Sequence, residues 1–195
     1  MVKVALTGGI ASGKSEILTH LMMSGYVIYS TDSLAHDVLK QEGKQQVIDT
    51  FGMGVVSPSG EINRSALGKI VFNDNDKLKK LNEIIHPYVK LRIENIIKAN
   101  PDLDIIFFEV PLLFESNMES IFDVTINIYC DIDMQIKRIV ERDNRSVDDA
   151  LNIIRSQMGT FERNKRSTYA IDNSGDLEDT FKKIDKIVND ILSKE

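Results

Sequence analysis

Gly8-Gly9-Ile10-Ala11-Ser12-Gly13-Lys14-Ser15 satisfies every fixed position of the pattern G-x-x-x-x-G-K-[ST], and the residues on either side decide what the match means. Before it, Val2 to Leu6 is short, apolar and rich in β-branched residues, as a buried parallel strand is. After it, Ile17, Leu18, Leu21 and Met22 mark one face of a helix that starts near Gly13. Strand, loop and helix therefore follow in the order that a phosphate-binding loop requires. The amides of Ala11 to Ser15, added to the positive end of the helix dipole, predict a cradle for phosphate oxygens. The Lys14 ammonium is placed to reach the β- and γ-phosphates, and the Ser15 hydroxyl to ligate Mg²⁺.

Outward from the loop, four further segments read as strands: Tyr26 to Ser30 after Gly25, Ile105 to Val110, Val124 to Cys130, and Tyr169 to Asp172. Helical stretches separate them, which predicts an α/β fold with a five-stranded parallel sheet flanked by helices and ligands at the carboxyl ends of the strands. More than seventy residues part the second strand from the third, too many for one crossover helix. Within them Ser33 to Lys40 and Lys77 to Asn100 read as helices, the second bent at His86-Pro87, and Ser57-Pro58-Ser59-Gly60 reads as a turn. Residues 33–100 are thus expected to form a helical insertion that holds an acceptor substrate.

A second insertion is basic. The chain carries a formal charge of −6, yet residues 137–166 hold eight basic and five acidic side chains. The overall negative charge argues against general affinity for nucleic acid or an anionic membrane. Asp133 to Arg142 reads as one helix, and Ser146-Val147-Asp148-Asp149 as a capping box before another with Leu151, Ile154 and Met158 inward. Arg138, Arg142, Arg145, Arg155, Arg163, Lys165 and Arg166 are expected to project from this hairpin as a lid over phosphates, with Arg142 the first candidate and Arg138 the second. A last helix carries Leu177, Phe181, Ile184, Val188 and Ile191 on one face. The single Cys130, in an apolar run, reads as a buried thiol of a reducing compartment. The apolar start is too short for a signal peptide, and no uncharged apolar run approaches the ~18 residues of a membrane span. A soluble cytoplasmic protein is expected.

For chemistry on the acceptor side, Asp32 lies just past the second strand. It reads either as a carboxylate that orients and deprotonates a hydroxyl or as the cap of the helix beginning at Ser33. Glu109, at the end of an apolar strand, reads as a metal-side or acceptor-side carboxylate, or as a strand end facing solvent. A GTPase is disfavoured, because Asn164-Lys165-Arg166-Ser167 lacks the final aspartate of N-K-x-D and Asp172-Asn173-Ser174-Gly175 follows it rather than preceding it. A small-molecule kinase also accounts for both insertions. The rivals are a nucleoside or nucleotide kinase of the same architecture and a nucleotide-gated binding protein.

The segments T-G-G-I-A-S-G-K-S (7–15), Thr31-Asp32 with Leu34-Ala35, His86-Pro87, E-V-P-L-L-F-E (109–115), Gln135 with Arg138 and Arg142-Asp143, Gln157, and Ile171-Asp172-Asn173 resemble the bacterial dephospho-CoA kinases in order and spacing. The similarity runs from Met1 to about the final helix. It implies a P-loop nucleotide-binding core at 1–32, 101–132 and 167–195, a CoA-binding insertion at 33–100 and a lid at 133–166. It also implies transfer of the ATP γ-phosphate to the ribose 3′-hydroxyl of dephospho-CoA, the last step of coenzyme A synthesis. By resemblance Asp32 is the base, with Lys14 and Arg142 the other catalytic groups. ATP contacts fall on Gly8, Gly9, Ala11, Ser12, Gly13, Lys14, Ser15, Glu16, Arg138 and Asn173, with Asn173 towards the adenine. His86 and Glu109 lie towards the acceptor, and Ser15 holds Mg²⁺. This chain departs from the family at Ala11, where many relatives have glycine. Further departures are Ser30 and Glu109, where acidic residue and aspartate are common, and Thr168. The alanine is expected to matter little provided its backbone angle is ordinary.

Overall fold

The computed structural model describes residues 1–71 and 74–193. It divides into two compact units, Met1–Tyr29 with Asp102–Glu195, and Ser30–Pro101.

The first unit is built on a five-stranded parallel sheet: β1 (Val2–Gly8), β2 (Ile28–Ser30), β3 (Ile105–Glu109), β4 (Val124–Tyr129) and β5 (Tyr169–Asp172) in the order β2-β3-β1-β4-β5. The central β1 pairs with β3 from Val2↔Ile105 to Leu6↔Glu109 and with β4 from Val4↔Val124 to Gly8↔Ile128. Val4, Ala5 and Leu6 of β1 are fully buried, so both faces of the strand are covered and its interior is apolar without alternation. One face presents Val4, Leu6, Phe107, Ile126, Ile128 and Ile171 to helices α1 (Lys14–Met23) and α9 (Leu177–Leu192), whose Ile17, Leu21, Ile184, Val188 and Ile191 complete the core. His20 of α1 stacks on Phe181 with ring centroids 4.2 Å apart and meets Asp185 at 2.7 Å, tying α1 to α9.

Between β4 and β5 run α6 (Ile132–Asp143), α7 (Val147–Arg155) and the short α8 (Thr160–Arg166), all in this same unit. Ser146 caps α7 as its spacing predicts, accepting from the Asp149 amide at 3.1 Å. The inward residue of α7 is Ala150, with Leu151 and Ile154 only partly covered.

The second unit holds α2 (Thr31–Lys40), α3 (Lys44–Phe51), α4 (Arg64–Val71) and α5 (Asn75–Ala99). The turn at Ser57 to Gly60 forms, closed by the Gly60 amide on the Ser57 carbonyl at 2.9 Å. Helix α5 runs unbroken through Pro87. An interior proline costs a helix about 3 kcal/mol. Burial of Ile85, Val89 and Ile93, spaced by fours on either side, offsets that cost by packing. Among the described residues no helix is long and apolar enough to cross a membrane.

Candidate active site

The carboxyl end of β1 delivers the phosphate loop, and its two framing glycines are required by contact and by backbone angle. A Cβ on Gly8 would lie 2.5 Å from the Ile128 carbonyl oxygen and 2.7 Å from Ser12 Oγ. Gly13 caps α1 at φ 89°, and a Cβ there would strike the Asn173 side-chain amide. Between them the Ser12 amide closes a turn on the Gly9 carbonyl at 3.2 Å. Ser12 Oγ is buried without a hydrogen-bond partner among the described residues.

Ala11 corrects one expectation. Its φ is +56°, in the left-handed region, so the residue that stands in place of a glycine is strained rather than ordinary. A left-handed alanine costs about 1–2 kcal/mol, against about 0.5–1 kcal/mol of extra unfolded-chain entropy for glycine. Ala11→Gly should therefore raise the unfolding free energy by about 0.5–1 kcal/mol, read from urea denaturation. A decrease would show that the Ala11 methyl makes packing contacts worth more than its strain.

Lys14, the first residue of α1, forms an ion pair with Glu109, the last residue of β3. The pair is 13% and 25% exposed, so neither charge is fully hydrated. Register explains the meeting, since Glu109 lies opposite Leu6, two residues short of the end of β1. Of the readings open for Glu109, a solvent-facing strand end is therefore excluded. Ser15 and Glu16 follow on the exposed first turn of α1.

Side chains from α6, from the connection between α7 and α8, and from the end of β5 reach the loop. Arg138 donates to the Ala11 carbonyl at 3.1 Å and to the Cys130 sulfur at 3.7 Å. Asn173, 2% exposed, donates from Nδ2 to the Ser12 carbonyl at 2.9 Å. Gln135 Nε2 donates to the Ile10 carbonyl at 2.8 Å, and Gln157 Oε1 accepts from the Ile10 amide at 2.9 Å. Burial pushes the Cys130 thiol up, although Arg138 opposes the shift, so the group beneath the loop is a thiol at neutral pH.

Not all the arginines of residues 133–166 project as the sequence predicts. Arg163 is buried and donates from Nη2 to Glu115 Oε1 at 2.8 Å, while Arg166 pairs with Glu119 and lies 4.8 Å above the Phe114 ring. Burial alone would raise the Glu115 carboxyl. The Met158 amide at 3.0 Å and Arg163 outweigh it and hold the carboxyl below its usual range. Charge density read as solvated lid is, at these two arginines, an internal clamp. Their acidic partners lie 48 and 47 residues earlier, and the quoted E-V-P-L-L-F-E segment was the signal for the first of them. Arg142 does project: its side chain is 60% exposed and doubly bonded to Asp143 at 2.8 and 2.9 Å.

Asp32 and His86 belong to the second unit. Ser30 is the residue before α2, and Asp32 is exposed at the second helical position. The helix starts two residues earlier than Ser33, with Thr31 buried in its first turn, and this removes Asp32 from the cap position. Burial pushes the His86 imidazole below its ordinary value, which leaves the ring uncharged at neutral pH.

The model of the dephospho-CoA kinase family matches residues 2–179. A dephospho-CoA kinase of Carboxydothermus hydrogenoformans is 42% identical over 185 residues, 93% of this chain and 90% of that protein. One from Fusobacterium nucleatum is 39% identical over 189 residues, 96% and 97% of the two chains. The solved dephospho-CoA kinase of Campylobacter jejuni superposes with a TM-score of 0.72 at 26% identity, covering 98% of each chain. A family match over nearly the whole chain, joined to a complete phosphate loop, places this chain in the dephospho-CoA kinase family.

Proposed function

We propose that this protein transfers the γ-phosphate of ATP to the ribose 3′-hydroxyl of dephospho-CoA, giving CoA and ADP. The observation that carries the reading is the family match across residues 2–179 on a chain whose phosphate loop is intact at every fixed position.

Phosphoryl transfer asks a protein for in-line positioning and for neutralisation of charge on the transferred group. The loop amides and the Lys14 ammonium would hold the donor, with Gly8, Gly9, Ala11, Ser12, Gly13, Ser15 and Glu16 around it. To take the phosphates, Lys14 exchanges part of its interaction with Glu109 for phosphate oxygens. Asp32 would orient the acceptor hydroxyl and accept its proton from its exposed position on the first turn of α2. The insertion at 33–100, including His86, would carry the acceptor, with the uncharged imidazole acting as a hydrogen-bonding group. Residues 133–166 would act as the lid, where Arg142, exposed at the end of α6, and Arg138 are the arginines proposed to meet phosphate.

Mg²⁺ fits this site. Among the described residues no three His, Cys, Asp or Glu side chains gather into a metal site of their own. Mg²⁺ is typically held by one or two protein oxygens together with substrate phosphates and water. The Ser15 hydroxyl, with Glu109 near Lys14, supplies such a donor set. When bound, the ion neutralises charge on the β- and γ-phosphate oxygens. A cytoplasmic location is proposed too, supported by the one cysteine, which is a buried thiol.

Incubation of the protein with Mg-ATP and, separately, dephospho-CoA, AMP, CMP or no acceptor, with ADP release measured, tests the reading. Turnover with dephospho-CoA alone is expected. Turnover with AMP or CMP instead would favour a nucleotide kinase, and none with any acceptor a nucleotide-gated binding protein.

A further inference from the structure

Four consecutive peptide planes of the phosphate loop are each held by at least one side chain from outside it. Gln157 Oε1 accepts the Ile10 N–H of the Gly9–Ile10 peptide at 2.9 Å. Gln135 donates to the carbonyl of Ile10–Ala11 at 2.8 Å, Arg138 to that of Ala11–Ser12 at 3.1 Å, and Asn173 to that of Ser12–Gly13 at 2.9 Å. A trans peptide carries its N–H opposite its C=O. Drawing these carbonyls outward turns the amides of Ala11 and Gly13 the other way, the orientation an anion requires, while the Ser12 amide closes on the Gly9 carbonyl. With glycines at 8, 9 and 13, little in the loop itself opposes a peptide flip, and a flipped plane would present a carbonyl oxygen to a phosphate.

We propose that Gln135 and Gln157 are positioning residues for the phosphoryl donor, fixing the two peptides that meet at Ile10 so that the loop is set for phosphate before nucleotide arrives. They act through the loop backbone, not on substrate. Gln135 is seated tightly against the loop, for a Cβ on Gly9 would lie 3.0 Å from its Nε2 and 2.9 Å from Arg163 Nη1. Gln157 is itself anchored. The next amide, Met158 N–H, and the Arg163 guanidinium share one acceptor, Glu115 Oε1, at 3.0 and 2.8 Å. The lid connection between α7 and α8 is thereby tied to the loop at Gln157 and to the segment after β3 at Glu115. Pre-setting of this kind lowers the ordering cost of binding and appears as nucleotide affinity.

The two glutamines play opposite hydrogen-bonding parts, and this gives a test. Glutamate is isosteric with glutamine but only accepts. Gln157→Glu keeps the acceptor that Ile10 N–H needs, whereas Gln135→Glu sets a carboxylate against the Ile10 carbonyl. Both add one negative charge beside the loop, so charge alone acts on both. The Kd for Mg-ATP of the full chain should rise at least about tenfold more in Gln135→Glu than in Gln157→Glu, as expected for a buried carbonyl that loses its donor. In steady state, KM for ATP should rise while KM for the acceptor stays near the wild-type value, a split that general loosening of the fold would not give. Equal weakening by the two substitutions, or none by either, overturns the proposal. Should Gln135→Glu fail to fold, Gln135→Met removes the donor without adding charge. About tenfold weaker ATP binding supports the proposal and unchanged binding overturns it. The inference rests on the loop's role as donor site, and a wild-type chain that binds no ATP would defeat that reading first.

Discussion

Lys14→Ala is expected to lower kcat/KM by about 10³-fold, the scale seen when one charge-stabilising donor is removed from a preorganised site. That loss corresponds to about 4 kcal/mol of transition-state stabilisation. A folding effect must be separated from it, because the substitution also deprives the partly buried Glu109 carboxylate of this cation, at a cost of about 1–3 kcal/mol in stability. Lys14→Met combined with Glu109→Gln removes both charges. The double variant should unfold near the wild-type midpoint and remain as inactive as the single one. Recovery of rate together with stability would mean that the lysine holds the fold and not the phosphate.

Asp32→Asn is expected to lower kcat by 10²-fold or more, the usual contribution of a general base, with ATP affinity little changed. Magnitude decides between this role and a purely structural one. An aspartate in the first turn of a helix interacts favourably with the dipole by about 0.3–1 kcal/mol, which an asparagine would forfeit. A hundredfold loss corresponds to about 2.7 kcal/mol, beyond the reach of the dipole effect. Near-normal turnover, with a small drop in unfolding midpoint, would make Asp32 a helix-stabilising residue and nothing more.

How much of this was legible depended on how local the information was. Val2 to Leu6, the loop and the face of Ile17, Leu18 and Leu21 lie within a few turns of chain, and their pattern gave β1, the phosphate loop and α1 with small changes of boundary. The parallel sheet was readable for the same reason, since each strand is a short apolar run between helices. Helices α3, α4 and α8 are only 8, 8 and 7 residues long, too short for periodicity to separate them from loop. Arg163 and Arg166 looked like surface because their partners, Glu115 and Glu119, are distant in sequence and meet them only when α8 packs by the segment after β3. Backbone angle is likewise invisible in residue type, and Ala11 in the left-handed region is the plainest case. The loop carbonyls show the same limit: Gln135 and Gln157 could be quoted as matching positions, while which one donates and which accepts required the folded backbone.

The most direct measurement is the position of the new phosphate. Dephospho-CoA, Mg-ATP and the purified protein should yield a product whose phosphorus resonance couples to the ribose 3′ proton in phosphorus–proton correlation spectra, with one ADP released per product. Coupling to the 2′ proton, or ADP release without any phosphorylated dephospho-CoA, would contradict the account.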